Sequence, residues 1–190
     1  MKTVRVTFGL LCMLALVAMT TIGCEKKEGG EKSEHQLDRT KEFVTVATGP
    51  TSGIYFPIGG AFAEALKSAG YNTSSQATGA SAENISMISK GEAELAIAMQ
   101  DSVMQAYKGF GAYEGKANPK LTACMRLWPN YVQLVTLRKS GIKTVADLKG
   151  KRVGVGAANS GVELNARMIY EAYGMTYSDS KADYLSYGEA

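Results

Sequence analysis

From Phe43 onward, short apolar runs rich in β-branched residues alternate with segments whose apolar residues recur at helical spacing. Residues 43–48, 73–77, 95–99 and 151–156 are strand-like, and each is followed by a polar turn and then by a helix-like segment. Such alternation is typical of an α/β fold whose strands are mostly parallel. The order of these patterns therefore predicts an α/β architecture.

Helix starts are placed by residue types that satisfy the first backbone N–H groups of a helix. Pro57 suits a first helical turn, and Ser81 and Asp101 are predicted N-caps. Ser160 and Glu163 have the spacing of a capping box, in which each side chain accepts a hydrogen bond from the other residue's backbone. We therefore predict four helices, each starting soon after a strand ends.

The remaining apolar runs predict further elements. Residues 121–127, 131–137 and 184–187 are strand-like, and Thr144 opens a short helix with a Thr-x-x-Asp pattern. Because Cys124 lies within the first of these runs, we expect it to be a buried strand thiol.

Four polar turns introduce the predicted helices, at residues 49–55, 78–84, 100–102 and 157–161. Ligands of parallel sheets bind beyond the carboxyl ends of the strands, and a helix N-terminus offers unpaired N–H groups and about half a positive charge. One terminus contributes roughly 0.3–2 kcal/mol, whereas micromolar affinity needs about 8 kcal/mol. Only several converging turns make an anion site, and we expect these four to converge.

The N-terminus has the pattern of an export signal. Lys2 and Arg5 precede an uncharged stretch, residues 6–24, that ends in a glycine followed by Cys24. This ending is similar to the lipobox of bacterial lipoproteins. We interpret residues 1–23 as a signal peptide and Cys24 as the lipidated first residue of an exported, membrane-anchored protein in the periplasm or at the cell surface. The alternative is an uncleaved transmembrane anchor, which also exports the globular part.

Residues 24–42 predict a flexible tether. This stretch holds six acidic and five basic residues and a single aliphatic side chain, Leu37. It has too little apolar area to offset the entropy of ordering the chain. Because lipidation uses Cys24 and leaves only Cys124, we expect no disulfide within the mature chain.

Composition argues against most catalytic and metal-binding classes. His35 is the only histidine and lies in the tether, which argues against Ser-His-Asp or Cys-His hydrolases and multi-histidine metal sites. The run Gly154-x-Gly156 lacks the third glycine of a dinucleotide loop. The net charge of +3 falls to +1 without residues 1–23, since 19 Lys and Arg then face 18 Asp and Glu. We expect no enzyme activity, cofactor, metal or nucleic-acid partner.

Three segments occur in order with suitable spacing: residues 49–59 (GPTSGIYFPIG), 77–84 (ATGASAEN) and 142–153 (IKTVADLKGKRV). Together they resemble the TAXI family of TRAP-transporter solute-binding proteins. The resemblance implies a periplasmic binding protein fold whose two lobes close on a small organic acid. Pro50 and Ala80 depart from the family pattern, because smaller or Gly-like residues are expected there.

The resemblance also implies which residues bind the ligand. Backbone N–H groups and hydroxyls would hold a carboxylate, and Tyr55, Asn84 and Gln100 would orient the ligand by hydrogen bonds. The second lobe would add the turn at Ser160 and Gly161. The predicted set is Thr51, Ser52, Gly53, Tyr55, Ser81, Asn84, Gln100, Ser160 and Gly161.

As the resemblance implies, lobe 1 spans residues 43–136 and a partial lobe 2 spans residues 137–190. Family members have longer chains, so we expect a fragment or a truncated product. The expected ligand is a small carboxylate or amino acid such as glutamate or a 2-oxo dicarboxylate, delivered to TRAP membrane subunits that an ion gradient drives. The alternative hypotheses are the binding lobe of an ABC importer or of a sensor kinase.

Overall fold

A computed structural model describes residues 38–190. The predicted signal peptide, Cys24 and most of the predicted tether lie outside the described residues. The end of the tether contacts the folded part, since the Arg39 guanidinium lies 5.5 Å from the centre of the Tyr71 ring and donates to the carbonyl of Ala69 at 3.2 Å.

The N-terminal half contains a three-stranded parallel sheet. The central strand is β1 (Phe43–Ala47), which pairs with β2 (Asn72–Gln76) on one side and with β3 (Leu95–Ala96) on the other. The strands are parallel, so their carboxyl ends lie at the same edge of the sheet. The prediction of a parallel α/β arrangement is confirmed for this half.

Three helices connect or follow these strands. Helix α1 (Tyr55–Ser68) joins β1 to β2, α2 (Ser81–Lys90) joins β2 to β3, and α3 (Gln100–Lys108) follows β3. Glycines in the left-handed conformation end α2 and α3, at Gly91 and Gly109, as helix C-caps commonly do.

A second, smaller parallel sheet lies in the C-terminal half. Strand β4 (Arg152–Gly154) pairs with β5 (Lys181–Asp183), and α4 (Gly161–Ala172) connects them. The predicted short helix near Thr144 is a 3-10 helix, Val145–Leu148, with both hydrogen bonds of a capping box present. The fold is therefore mixed α/β with two small parallel sheets. A two-lobed arrangement stays a prediction.

Each sheet packs its own apolar cluster. Ala47 of β1 packs with Met87 and Ala93, all buried. Helix α1 approaches β1 so closely that a Cβ on Gly59 would collide with the Thr48 side chain. In the second cluster, Leu148, Tyr170 and Met175 pack together, with further apolar side chains around them. No helix within residues 38–190 is long and apolar enough to cross a bilayer.

The strands predicted at residues 121–127 and 131–137 are wrong. Residues 121–137 have no regular secondary structure, and Tyr131 and Val135 are 79% and 81% exposed. Cys124, predicted to be buried, is exposed. A strand needs a hydrogen-bonded neighbour, and within residues 38–190 no strand lies beside this segment. Apolar β-branched sequence alone therefore does not produce a strand here.

Several boundaries also differ from prediction. The strand expected at residues 184–187 is β5, three residues earlier, and the strand expected at 95–99 has only two paired residues. Ser81 begins α2 but does not cap it, and Asp101 is the second residue of α3. The Ser160 hydroxyl does cap α4 by accepting the N–H of Glu163, while the reciprocal bond of the box is missing because the Glu163 carboxylate pairs with Arg167.

Candidate functional site

The structure brings the four predicted turns together. The turn before α1 meets the turn before α2, where the N–H of Thr78 donates to the carbonyl of Gly49 at 3.2 Å. The turn before α4 meets the start of α2, where Ala82 N–H donates to the carbonyl of Asn159, also at 3.2 Å. The N-termini of these helices therefore lie side by side.

Ser81 lies where three of these turns meet. It is fully buried, and its hydroxyl accepts the N–H of Met99 at 3.0 Å, which fixes the residue just before α3. A Cβ added to Gly161 would lie 2.6 Å from the Ser81 Oγ, so the first turn of α4 passes directly over this hydroxyl. Glycine at position 161 is what permits this close approach.

Three of these helices, α2, α3 and α4, begin with a backbone N–H group that has no acceptor in the described part of the chain. Within residues 38–190, the N–H groups of Ser81, Gln100 and Gly161 donate no hydrogen bond, and Ser81 and Gly161 are buried. A buried polar group without a partner costs about 1–3 kcal/mol. The arrangement therefore offers donors whose pairing with an anion is favourable.

Asn84 lies behind the turns, in the core. It is fully buried, and its amide nitrogen donates to the carbonyls of Thr48 at 2.6 Å and Ile97 at 2.7 Å, while its Oδ1 accepts the Thr78 hydroxyl at 2.6 Å. Asn84 thus joins the ends of β1, β2 and β3. Its predicted role as a ligand contact stays a prediction, but the structure gives it a positioning role for the turns.

The other predicted residues differ in exposure. Thr51, Ser52 and Gln100 are exposed, and no hydrogen bond within residues 38–190 joins Thr51 or Gln100 to another predicted residue. The N–H of Gly53 donates to the carbonyl of Pro50 at 2.8 Å, closing a tight turn ahead of α1. These hydroxyl and amide side chains are therefore available to solvent at the rim of the cluster.

The turn before α2 contains an uncommon backbone conformation. Ala80 has φ +79° and ψ −140°, a region that glycine enters readily and alanine rarely. Such a residue costs of order 1–3 kcal/mol and persists only where its surroundings hold it. Ala80, at a position where the TAXI resemblance led us to expect a Gly-like residue, therefore carries local strain at the meeting point of the turns.

The four helices differ in the charge of their first turns. Glu83, Asp101 and Glu163 lie in the first turns of α2, α3 and α4, whereas the first turn of α1 has no acidic residue. The Glu83 carboxylate accepts the N–H of Gly79 at 2.6 Å. The Glu163 carboxylate is buried and lies 2.7 Å from Arg167, whose pKa is raised by that hydrogen bond. The start of α1 is thus the least compensated of the four positive helix ends.

Tyr55, the first residue of α1, contacts residues that the sequence did not point to. Its ring meets Trp128 edge to face, with ring centres 5.9 Å apart, and its hydroxyl accepts the side-chain amide of Asn130 at 3.4 Å. Burial raises the pKa of Tyr55, and side-chain hydrogen bonding to Asn130 and Ser81 partly offsets the rise. The sequence feature that could have pointed to Trp128 and Asn130 is the Trp-Pro-Asn break between two apolar runs.

Two cavities lie elsewhere. One, of about 380 Å³, surrounds the C-terminal half of α4, and the other, of about 260 Å³, lies between α3 and α4. No predicted site residue lines either cavity, and the one guanidinium they share, on Arg167, is already paired with Glu163. The converging turns are therefore the better candidate site. Within residues 38–190 no three metal-binding side chains cluster.

Comparison with protein families gives one match over most of the chain. The model of a family described as the NMT1-like family matches residues 46–190. The matched region runs from the last residues of β1 to the end of the described chain and includes all four turns.

Proposed function

Because the chain belongs to the NMT1-like family, a periplasmic solute-binding family of the type II kind, we propose that it is the receptor of a TAXI-type TRAP transporter. Its role is extracytoplasmic solute binding. The proposed ligand is a small carboxylate such as glutamate or a 2-oxo dicarboxylate. Transporter membrane subunits would receive the ligand and move it with an ion gradient.

The observation that carries this proposal is the meeting of the four turns at the helix N-termini, three of them at Ser81. One helix end contributes roughly 0.3–2 kcal/mol, which is far below the 8 kcal/mol of micromolar binding. Hydrogen bonds to a charged group add about 1.5–3 kcal/mol each. Because association itself costs about 4–15 kcal/mol, micromolar binding needs several such hydrogen bonds at one place, which a single helix end does not offer.

The charges in the first turns of the helices indicate where the ligand carboxylate would bind. Since Glu83, Asp101 and Glu163 already offset the positive ends of α2, α3 and α4, an anion is repelled least at the start of α1. Thr51 and Ser52, exposed in the turn just before α1, add hydroxyl donors there. We assign the ligand carboxylate to the space between this turn and the unpaired N–H groups that begin α2, α3 and α4, and an ammonium group of an amino-acid ligand to the Asp101 side.

Thermal shift measurement tests this function directly. At a concentration of 100 times Kd, a bound ligand stabilises the folded state by about 2.7 kcal/mol, or roughly 5–10 °C in Tm for a domain of this size. L-glutamate and 2-oxoglutarate should raise the Tm, while dimethyl 2-oxoglutarate, which lacks the charges, should not. No shift with any of a panel of organic and amino acids would contradict carboxylate binding.

A pair of serine variants tests the assigned position. Ser52→Ala removes a hydroxyl before the start of α1, whereas Ser68→Ala makes the same change at the last residue of this helix, roughly 20 Å away. We expect Ser52→Ala to weaken 2-oxoglutarate binding about tenfold by calorimetry and Ser68→Ala to leave the Kd unchanged. Equal effects of the two variants would remove the carboxylate from this turn.

The transporter class needs a separate measurement, because an ABC importer is the second hypothesis. Cells that express the protein with its membrane partners should lose uptake of labelled ligand when an ionophore collapses ion gradients. Vanadate, which inhibits ATP-driven importers, should leave uptake intact. The opposite pattern would favour the ABC importer.

Membrane anchoring is proposed from Cys24. Cells grown with radioactive palmitate should label the wild-type protein, and Cys24→Ala should abolish the label. Cys124→Ala serves as the matched control, since that thiol is not at a lipobox. Label that persists in Cys24→Ala would overturn the lipid anchor.

A further inference from the structure

Trp128 is the only tryptophan of the chain and the one residue between 122 and 141 that is not exposed. Its ring packs edge to face on Tyr55, with ring centres 5.9 Å apart and an interplanar angle of 67°. Its indole N–H donates to Asn130 Oδ1 at 3.1 Å, and Asn130 in turn donates to the Tyr55 hydroxyl at 3.4 Å. This otherwise exposed segment is therefore attached to the first residue of α1 by two side chains, those of Trp128 and Asn130.

This attachment places an aromatic wall next to the assigned carboxylate position. A ligand at the start of α1 adjoins the Tyr55 ring, and the Trp128 ring adjoins Tyr55. The indole N–H is already paired, so Trp128 offers carbon surface and not a donor to a ligand. The negative charge of Asp101 lies near enough to Tyr55 to raise the pKa of the Tyr55 hydroxyl. The same charge would repel a second ligand carboxylate placed between Tyr55 and Asp101.

We propose that Trp128 is a specificity-determining contact of the site, packing against the carbon chain of the ligand beyond its first carboxylate. The ligand class is a carboxylate with several methylene groups or a larger apolar part, in preference to compact acids such as oxalate. The proposal rests on the function proposed above. Asn130 positions Tyr55 and Trp128 relative to each other.

Intrinsic fluorescence gives a direct readout, because all tryptophan emission comes from this one ring. Titrating the full chain with 2-oxoglutarate should change the intensity or wavelength of emission and saturate at the Kd measured by calorimetry. A change shows that the surroundings of Trp128 alter on binding, and the variants below distinguish direct contact from rearrangement.

Variants separate contact from structure. Trp128→Ala should weaken 2-oxoglutarate binding about tenfold, and Trp128→Phe, which keeps an aromatic ring, should weaken it less than threefold. Tyr131→Ala removes an aromatic ring that is 79% exposed in the same segment and should leave the Kd unchanged. The Tm of each variant without ligand shows that it is folded. If Trp128→Ala does not fold, the Kd of Trp128→Phe and the fluorescence titration of the wild-type protein test the role of Trp128 instead.

A chain-length series completes the test. Trp128→Ala should weaken glutarate binding more than oxalate binding, because only the longer ligand reaches the ring. Equal losses for both acids, or saturated wild-type binding with unchanged emission, would overturn the role of Trp128 and leave solute binding intact. A wild-type protein that no carboxylate stabilises would instead overturn the proposed function itself.

Discussion

Truncating Asn84 tests how the turns are held together. The amide nitrogen of Asn84 donates to the carbonyls of Thr48 and Ile97, and its oxygen accepts the Thr78 hydroxyl. These three partners follow β1, β3 and β2, and Asn84 is fully buried. Asn84→Ala leaves all three without their amide partner and opens a small cavity.

The expected cost follows from the number of buried groups left unpaired. Each buried acceptor without a donor costs about 1–3 kcal/mol, while the Thr78 hydroxyl can rotate to a new partner. We expect a loss of about 3–5 kcal/mol, a large share of the 5–15 kcal/mol that stabilises an ordinary domain. At about 2–4 °C per kcal/mol, the Tm should fall by roughly 6–20 °C.

Urea unfolding and thermal melting, both followed by circular dichroism, measure this loss. Asn118→Ala is the matched control, because the Asn118 amide donates to Ser89 in an exposed bond of 2.8 Å. The control should lose no more than about 1 kcal/mol. A Tm of Asn84→Ala within 2 °C of wild type would show that this side chain does not join the strand ends.

Three other changes have expected outcomes. Gly161→Ala should lower the Tm and weaken 2-oxoglutarate binding, because the added Cβ lies 2.6 Å from Ser81 Oγ. The control Gly60→Ala meets no atom within 4 Å and should stabilise α1 by about 0.5–1 kcal/mol. Calorimetry and thermal melting measure both variants, and equal effects would contradict the close approach of α4 to Ser81. Hydrogen bonds from the N–H groups of Lys143 and Thr144 lower the pKa of Asp147 below 3.8. The ionised Asp147 therefore stabilises the folded state above that pH, and this stabilisation is lost as the pH falls through the lowered pKa. In urea titrations from pH 6 to 2, Asp147→Asn should lose less of its free energy of unfolding than wild type does. Cys124 is exposed, so it should react with Ellman's reagent in the native protein as fast as in urea, and a protected thiol would contradict the exposed segment.

Local signals predicted where the helices occur, although two predicted N-caps, Ser81 and Asp101, lie inside the helices instead. Glycines at positions 91 and 109 end α2 and α3, the Ser160 hydroxyl caps α4, and Thr144 opens a capped helical turn. All of these act through hydrogen bonds or backbone angles within a few residues, so the sequence nearby contains the necessary information.

Strands were predicted less well because their stability depends on distant partners. Residues 43–47 became a strand beside residues 72–76 and 95–96, which supply backbone partners. Residues 131–137 have an equally apolar and β-branched sequence, yet they stay irregular and exposed. The difference lies in the neighbouring backbone and not in the residues themselves.

The candidate site depends both on local sequence signals and on contacts between distant segments. Sequence placed Tyr55, Ser81 and Gly161 in polar turns before helices, and parallel strands bring such turns to one edge for a topological reason. Trp128 is 73 residues from Tyr55 and was predicted to lie in a break between two strands, so no local pattern linked it to the site. Since Trp128 is the point at which an exposed segment contacts the start of α1, ligand binding there should also change the exposure of that segment. Hydrogen exchange should therefore slow near residue 128 when 2-oxoglutarate binds, and unchanged exchange with saturated binding would restrict the site to the four turns alone.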